Sequence, residues 1–271
     1  MNLITFEIRN KAEKERLLGY LLYYERGKRF FAEVLEELDE WNAPFIFAGQ
    51  VKRGIYSMDS FWSRKFVAQR IIPPDRQNLG SLLKENGLKA YDELKLLQLS
   101  EGRCAQDELY LIRIHEEEIL PEIQMRFHKK VLDVMALREQ RALVFFRDGI
   151  SRVVDVKAIC SENRLFGNVL REDEIFRNVR VSPGGNGIEW GEERFLSAEL
   201  LRQSGKKTGF AYGDIIEFVK TRLMDTVETA GMLNCSRQYI KQLVDQERLV
   251  PVREGGNSSV FLKSEIEMEE F

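Results

Sequence analysis

Residues 225–244, DTVETAGMLNCSRQYIKQLV, carry the most specific pattern in the chain. Glu228 follows Asp225 by three residues, which is the spacing of a capping box that satisfies the free amide groups at the start of a helix. Residues 234–235 then predict a short turn, and Ser236 is suited to begin a second helix. We therefore expect two helices joined by a tight turn.

Both predicted helices have an apolar side that would face a core. Apolar residues recur there at helical spacing, and those expected to face inward are Val227, Ala230 and Leu233 in the first helix and Ile240, Leu243 and Val244 in the second. The opposite side of the second helix carries long side chains rich in hydrogen-bond donors, namely Arg237, Gln238, Lys241 and Gln242. Such a side is suited to base edges, and it is equally typical of solvated surface.

The segment after residue 246 predicts a small sheet. RLVPV at 248–252 and SVFL at 259–262 alternate apolar and other residues, and they flank a glycine pair at 255–256. This pattern is typical of two strands closed by a glycine turn. KSEIE at 263–267 predicts a last short helix.

The whole stretch resembles the winged helix-turn-helix module of the excisionase and MerR-like DNA-binding families. The parts that carry the resemblance are TVETA at 226–230, LNCSRQYI at 233–240, RLVPV at 248–252 and FLKSEI at 261–266. The resemblance implies a winged helix-turn-helix domain over residues 213–271, with double-stranded DNA as its partner. It also implies that the helix beginning at Ser236 enters the major groove.

Under this resemblance the DNA-contacting residues form two groups. Those expected to face base edges are Arg237, Gln238, Tyr239, Lys241 and Gln242. Those expected to contact phosphates are Ser236, Tyr239, Arg253, Asn257 and Ser258. A good base-edge contact discriminates between sequences by about 1–3 kcal/mol, whereas phosphate contacts set the register of a protein on the duplex.

The charge balance of this stretch is acidic. From residue 225 to residue 271 there are five cations, Arg237, Lys241, Arg248, Arg253 and Lys263, and nine acids, Asp225, Glu228, Asp245, Glu247, Glu254, Glu265, Glu267, Glu269 and Glu270. So few cations on one copy predict weak binding to a duplex at physiological salt, and we therefore expect a homodimer that presents two modules. A second interpretation stays open, in which the module is a protein-docking surface and the chain is an interaction adaptor.

The rest of the chain predicts two mixed domains, which gives an α+β multidomain protein. Residues 1–115 predict a mixed N-terminal domain with a hairpin whose turn lies at 25–28. The charged segment 116–130 is expected to bridge this domain to a small α+β domain over 130–204.

This middle domain resembles a small bacterial domain of unknown function. The residues that carry the resemblance are VLDVMALREQRALVFFRDGISRVVDVKAI at 131–159 and LSAELL at 196–201. Such domains are often fused to helix-turn-helix modules or encoded beside them, sometimes in toxin–antitoxin operons. The resemblance therefore implies a DNA-binding transcriptional regulator, with autoregulator or antitoxin as narrower roles and a toxin or another protein as a further partner.

The composition is that of an ordinary globular protein. The 271 residues are 44% hydrophobic and 31% charged with a net charge of −3, so contact with nucleic acid must be local. The three cysteines lie far apart without a C-x-x-C pair, which favours a reducing compartment over a disulfide framework or a zinc site. Apolar runs such as LLGYLLYY at 17–24 are too short to span a bilayer. We expect a cytoplasmic protein without a membrane partner.

The sequence offers little for catalysis. The two histidines, His115 and His128, are separated by a proline and share no helical face. Cys104 would need an imidazole folded against it to be a nucleophile, and a structural cysteine is the simpler interpretation. We therefore expect no catalytic residues, no metal and no cofactor.

Overall fold

A computed structural model describes residues 3–25, 27–191, 194–209, 211–255, 258–263 and 265–266. The chain divides into two compact units, one made of Met1–Asp148 with Arg152–Lys206 and the other of Gly149–Ser151 with Lys207–Phe271. Helices and antiparallel sheets together confirm the predicted α+β multidomain class. The narrower domain ranges given above stay a prediction. None of the helices in the described part of the chain is long and apolar enough to cross a membrane.

The strands, in chain order, are β1 (Leu3–Asn10), β2 (Arg16–Tyr24), β3 (Arg29–Val34), β4 (Ser57–Met58), β5 (Leu109–Ile114), β6 (Val131–Ala136), β7 (Arg141–Phe146), β8 (Ser151–Asp155), β9 (Arg180–Val181), β10 (Gly187–Glu189), β11 (Phe195–Ser197), β12 (Lys206–Lys207), β13 (Leu223–Asp225) and β14 (Val260–Leu262).

The α-helices are α1 (Ala48–Val51), α2 (Ser60–Ala68), α3 (Leu79–Glu85), α4 (Glu93–Leu99), α5 (Pro121–His128), α6 (Val156–Cys160), α7 (Gly167–Arg171), α8 (Asp173–Arg177), α9 (Ala198–Ser204), α10 (Tyr212–Arg222), α11 (Thr226–Met232) and α12 (Arg237–Asp245). Short 3₁₀ helices lie at Phe45–Phe47, Glu116–Glu118, Arg164–Phe166 and Pro183–Gly185.

The first sheet is antiparallel and has the strand order β4-β3-β2-β1-β5. Strands β2 and β3 pair on either side of the predicted turn, which confirms the hairpin. Aromatic and leucine side chains suit a pleated surface that is covered on both faces, and β2 is buried along most of its length. The core of this unit therefore sits on the central strands of the first sheet.

Part of the segment 116–130, which is predicted to be a bridge, packs on this core. Ile119 and Ile123 are buried in the core cluster of the first sheet. Leu120 N donates a hydrogen bond to Tyr20 Oη at 3.1 Å. Its many charges were misleading because two isoleucines anchor the segment while its acidic side chains are exposed.

Two further sheets belong to the middle of the chain, with the orders β12-β8-β7-β6 and β11-β10-β9. The buried carboxylate of Glu189 on β10 lies 2.5 Å from Arg29 Nη1 on β3 and 2.9 Å from Arg180 Nε on β9. A buried carboxylate needs such partners because it has lost its hydration. The pair with Arg29 links the third sheet to the first.

The small sheet near the end of the chain differs from the predicted one. β14 pairs antiparallel with β13, the strand that precedes α11. Residues 248–252 form no strand, although Val252 N donates to Val260 O at 2.8 Å and the neighbouring Arg253 forms a bridge to Val260. The apolar alternation was misleading because Pro251 has no amide to donate and Val250 is exposed. The predicted last helix at 263–267 lies partly outside the described residues, and 263 and 265–266 are helical.

Candidate functional site

The first of the two predicted helices, α11, begins as its sequence predicts. Asp225 Oδ1 accepts hydrogen bonds from Val227 N at 2.7 Å and from Glu228 N at 2.8 Å. Glu228 Oε2 in turn accepts a hydrogen bond from Asp225 N at 2.9 Å. This reciprocal capping satisfies amide groups that have no partner within the helix, and it fixes the start of α11.

The buried face of α11 runs through Thr229 and Ala230. Val227 is 48% exposed, so the prediction that it faces inward was wrong. Thr229 is buried, and its hydroxyl donates to Asp225 O at 2.7 Å. A threonine that bonds back to the preceding turn hides its hydroxyl and presents its methyl group to the core. Because threonine is a polar residue, the apolar pattern of the sequence did not predict that position 229 faces the core.

The turn between the two helices is closed by the backbone. Asn234 has a φ of 48°, in the left-handed region that asparagine adopts more readily than most residues. Cys235 N donates to Ala230 O at 3.0 Å, which ends α11. Ser236 Oγ accepts a hydrogen bond from Tyr239 N at 3.2 Å, which confirms Ser236 as the cap of α12.

One side of α12 is anchored in the core of its unit. Ile240 and Leu243 are buried there together with Leu249 and Phe261, and Val244 packs against the same cluster. Because these residues recur at helical spacing, the opposite side of α12 must point away from the core. The inward positions predicted for α12 are thereby confirmed.

The outward side of α12 brings together the residues predicted to face base edges. All five are exposed, namely Arg237, Gln238, Tyr239, Lys241 and Gln242. Arg237 and Lys241 are one turn apart, and neither forms an ion pair within the part of the chain that the structure describes. The first acidic residue after Glu228 is Asp245, the exposed last residue of α12, which lies one turn beyond Lys241. This side therefore carries a local positive charge on an acidic unit.

The residues predicted to contact phosphates are placed less uniformly. Ser236 is exposed, and its oxygen serves as the cap of α12. Arg253 is exposed beside its backbone bridge to Val260. Ser258 Oγ donates to Thr226 Oγ1 at 3.2 Å, so its hydroxyl is used within the unit. Asn257 lies outside the described residues.

Thr226, the first residue of α11, positions the chain just before β14. Its Oγ1 accepts a hydrogen bond from Ser259 N at 3.0 Å and donates to Ser259 O at 3.2 Å. Its amide donates to Ser258 Oγ at 3.3 Å. These bonds hold residues 258–259 against the start of α11. A hydroxyl directly after the capping aspartate is the signal that would have indicated it.

The thiol of Cys104, the possible nucleophile of the first unit, bonds to a carboxylate. Cys104 Sγ donates to Asp107 Oδ1 at 3.4 Å, and Asp107 also pairs with the buried Arg70. Burial lowers the pKa of Arg70, and the charge of Asp107 opposes that shift. His115 N donates to Glu118 Oε1 at 2.7 Å. Within the described residues there is no group of three side chains able to hold a metal ion.

Comparison with protein-family models finds no match, and comparison with curated proteins finds none either. The chain resembles a solved structure from Nitrosomonas europaea described as a "Putative DNA Binding Protein". The two share 20% identity over 45% of this chain and 79% of that one, with a TM-score of 0.26. A TM-score this low does not establish a common fold. Membership of the excisionase or MerR-like families stays a prediction.

Proposed function

We propose that this protein is a DNA-binding transcriptional regulator whose α11 and α12 form a winged helix-turn-helix. The observation that carries the proposal is the outward side of α12, where five exposed side chains are held by a helix anchored through Ile240 and Leu243. Arginine and glutamine side chains at such positions can bond in pairs to guanine and adenine edges. In this proposal α12 enters the major groove.

The capping bonds support this assignment because they hold α12 in a fixed orientation. The left-handed turn at Asn234 and the cap at Ser236 determine where the helix begins. In helix-turn-helix proteins the residues near the start of the second helix contact base edges. Arg237 and Gln238 occupy those positions here, while Lys241 and Gln242 follow one turn later.

The charge of the second unit makes a dimer part of the proposal. Five cations stand against nine acids from residue 225 onward, and the strength of non-specific binding depends on the number of phosphates that are neutralised. Two copies double the number of contacts and bind as one body, so the second module binds at a high effective concentration and the overall affinity rises. We therefore propose a homodimer, with antitoxin or autoregulator as a narrower role and a toxin as a further partner.

The test is binding of the full chain to DNA fragments captured from its own genome. Replacement of both Arg237 and Lys241 by alanine is expected to weaken binding by at least about tenfold, because two charged contacts are lost from each copy. The matched control replaces the exposed Lys84 and Lys89 of the first unit by alanine, which removes the same charge. That control is expected to bind as the wild type does.

The acidic balance of the unit favours a second candidate, an interaction adaptor in which the outward side of α12 contacts a protein. Under this alternative the wild-type chain retains no DNA fragment at physiological salt, and the two double variants behave alike. Neither candidate assigns a catalytic role to the chain.

A further inference from the structure

Two aromatic side chains of the first unit are left almost entirely in water. Trp41 is 87% exposed and Phe45 is 92% exposed. Both belong to one short connection, residues 39–45, which we call the aromatic turn. Exposed apolar residues that are scattered singly are ordinary, whereas grouped ones mark contact surfaces. The aromatic turn is therefore a candidate docking surface.

The backbone of the aromatic turn is fixed by its own side chains. Asp39 Oδ1 accepts hydrogen bonds from Trp41 N at 2.9 Å and from Asn42 N at 3.1 Å. Asn42 Oδ1 in turn accepts a hydrogen bond from Asp39 N at 2.9 Å. Phe47, two residues after the turn, is buried in the core of the first sheet. The exposed rings are thus held in place before a partner arrives, which lowers the entropic cost of binding.

The aromatic turn forms one wall of a cavity with a volume of about 230 Å³. Trp41 and Phe45 line this cavity together with three carboxylate residues, Glu13, Asp107 and Glu108. Its lining residues all lie in the described part of the chain, and none of them is basic. Small-molecule sites usually enclose about 300–1,000 Å³, so this cavity suits a single long side chain.

The carboxylates of the cavity outnumber the cations that pair with them. Glu13 pairs with Arg16 at 3.1 Å, and Asp107 pairs with the buried Arg70. Glu108 is exposed, and it forms no ion pair within the residues that the structure describes. One negative charge at the cavity is therefore left for a partner to neutralise.

The surrounding charges select the class of partner. Residues 35–51 contain four acids and no base, and the neighbouring Lys11 and Lys14 do not line the cavity. Exposed aromatic rings can also stack on bases or enter a bilayer, but carboxylates repel the phosphates of nucleic acids and of anionic lipids. A guanidinium group suits the whole wall, because carboxylates attract it and the faces of aromatic rings bind cations.

We propose that the aromatic turn and its cavity are a docking site for a basic segment of another protein, which inserts an arginine side chain beside Trp41 and Glu108. Arginine suits this site better than lysine because its planar group stacks on aromatic rings and is more weakly hydrated. Apolar residues that flank the arginine contact Phe45. This inference does not depend on DNA binding by α12, and it assigns a surface and a chemistry to a protein partner.

The test measures binding of two labelled peptides to the full chain by fluorescence anisotropy, without DNA. One peptide is acetyl-Gly-Leu-Arg-Leu-Gly, and the other has citrulline in place of arginine, which keeps the shape and removes the charge. The arginine peptide is expected to bind with a dissociation constant below about 1 mM. The citrulline peptide is expected to bind at least about tenfold more weakly, because charged contacts are lost.

Variants of the chain locate the binding. Trp41→Ala should weaken binding of the arginine peptide at least about tenfold, because the aromatic anchor is lost. Glu108→Gln should weaken it at least about threefold, because the unpaired carboxylate is lost. The matched controls are Leu165→Ala and Glu174→Gln, which replace exposed residues of the first unit that do not line the cavity. All four side chains are exposed, and the two controls are expected to bind as the wild type does.

Four results would overturn the proposal. They are an arginine peptide that stays unbound up to about 1 mM, equal binding of the two peptides, a Trp41→Ala variant that binds as the wild type does, and a site used by something else. The last would appear as self-association of the chain, or as binding to phosphatidylserine vesicles, that Trp41→Ala abolishes.

The outcome is separable from DNA binding. Binding of the arginine peptide by a chain that retains no DNA would refute the proposed function alone. DNA binding by a chain that ignores the arginine peptide would refute this inference alone.

Discussion

Among single residues, Glu33 on β3 is the most consequential buried charge. Its two carboxylate oxygens lie 3.2 Å from Arg126 Nη1 and 3.1 Å from Lys130 Nζ, and Ser57 Oγ donates to it at 2.5 Å. Lys130 is itself buried. Its ammonium group lies within ion-pair distance of Glu33 but forms no hydrogen bond within the described residues. Removing Glu33 would therefore leave a buried ammonium group without its counter-ion.

We expect Glu33→Ala to lower the free energy of unfolding of the first unit by about 3–5 kcal/mol, the loss typical of breaking one side of a buried ion pair. Glu36→Ala is the control, because Glu36 pairs with the same Arg126 from a side chain that is 69% exposed. Its effect should stay within about 0.5 kcal/mol. Urea unfolding followed by tryptophan fluorescence measures both, and equal losses would contradict the assignment.

The three cysteines are expected to differ in reactivity. Burial raises the pKa of the Cys160 thiol to about 11, whereas Cys104 and Cys235 are partly exposed. Since the thiolate is the reactive form, roughly one Cys160 in a thousand is reactive at pH 8. Iodoacetamide should therefore label Cys104 and Cys235 but not Cys160 in the native protein, as mass spectrometry would show. Labelling of all three at equal rates would refute this.

The same pKa shift has a defined effect on stability. An unfolded cysteine ionises near pH 8.5, and Cys160 in the folded chain ionises near pH 11. The folded state therefore holds its proton where the unfolded state releases it. The stabilisation from this group is complete below about pH 8.5 and is lost as the pH rises toward 11.

At the scale of elements, two glycine turns with similar backbones have different surroundings. Gly185 has a φ of 78°, and a Cβ added there would lie 2.3 Å from Val131 O. Gly149 has a φ of 81°, and a Cβ added there would meet nothing within 4 Å. Both positions favour glycine, but only Gly185 also requires the space of a missing side chain.

We expect Gly149→Ala to cost about 1 kcal/mol, which is the backbone strain alone. Gly185→Ala should cost at least about 3 kcal/mol, because the carbonyl of Val131 has to move. Thermal unfolding of the two variants beside the wild type provides the measurement. Similar losses for both would mean that the turn at Gly185 can shift freely.

The sequence predicted those elements whose signals are local. The capping residues Asp225 and Ser236 specify where helices start through bonds to amides two or three residues away. The residue type at one position is therefore enough to predict the start of the helix. The predicted wing strand at 248–252 was wrong because strand partners are chosen over distance: these residues alternate correctly, yet β14 pairs with β13, and only Val252 and Arg253 bond to Val260. The inward side of α11 failed at Val227 because Thr229 hides its hydroxyl in a bond that no spacing rule indicates.

At the scale of the whole molecule, the proposed function depends on how charge is distributed. The chain has a net charge of −3, and the second unit is acidic as well, so bulk attraction to DNA is absent. The outward side of α12 nevertheless carries two cations, Arg237 and Lys241, against one acid, Asp245 at the end of the helix. The sequence predicted the exposure of this side because it depends only on the spacing of residues along one helix.

The two predicted classes of DNA contact have different signatures in salt. A dimer that places Arg237, Lys241 and Arg253 of both copies on phosphates or bases would have a slope of log affinity against log salt of up to about −5. We expect Arg253→Ala to make this slope shallower by about 2 and to weaken binding to all sequences alike, because one phosphate contact is lost from each copy. Gln238→Ala should keep the slope and reduce discrimination at one base pair per half-site by about 1–3 kcal/mol. Fluorescence anisotropy between about 50 and 200 mM salt, with matched and mismatched duplexes, separates the two. Identical behaviour of the two variants would mean that α12 does not lie in the groove.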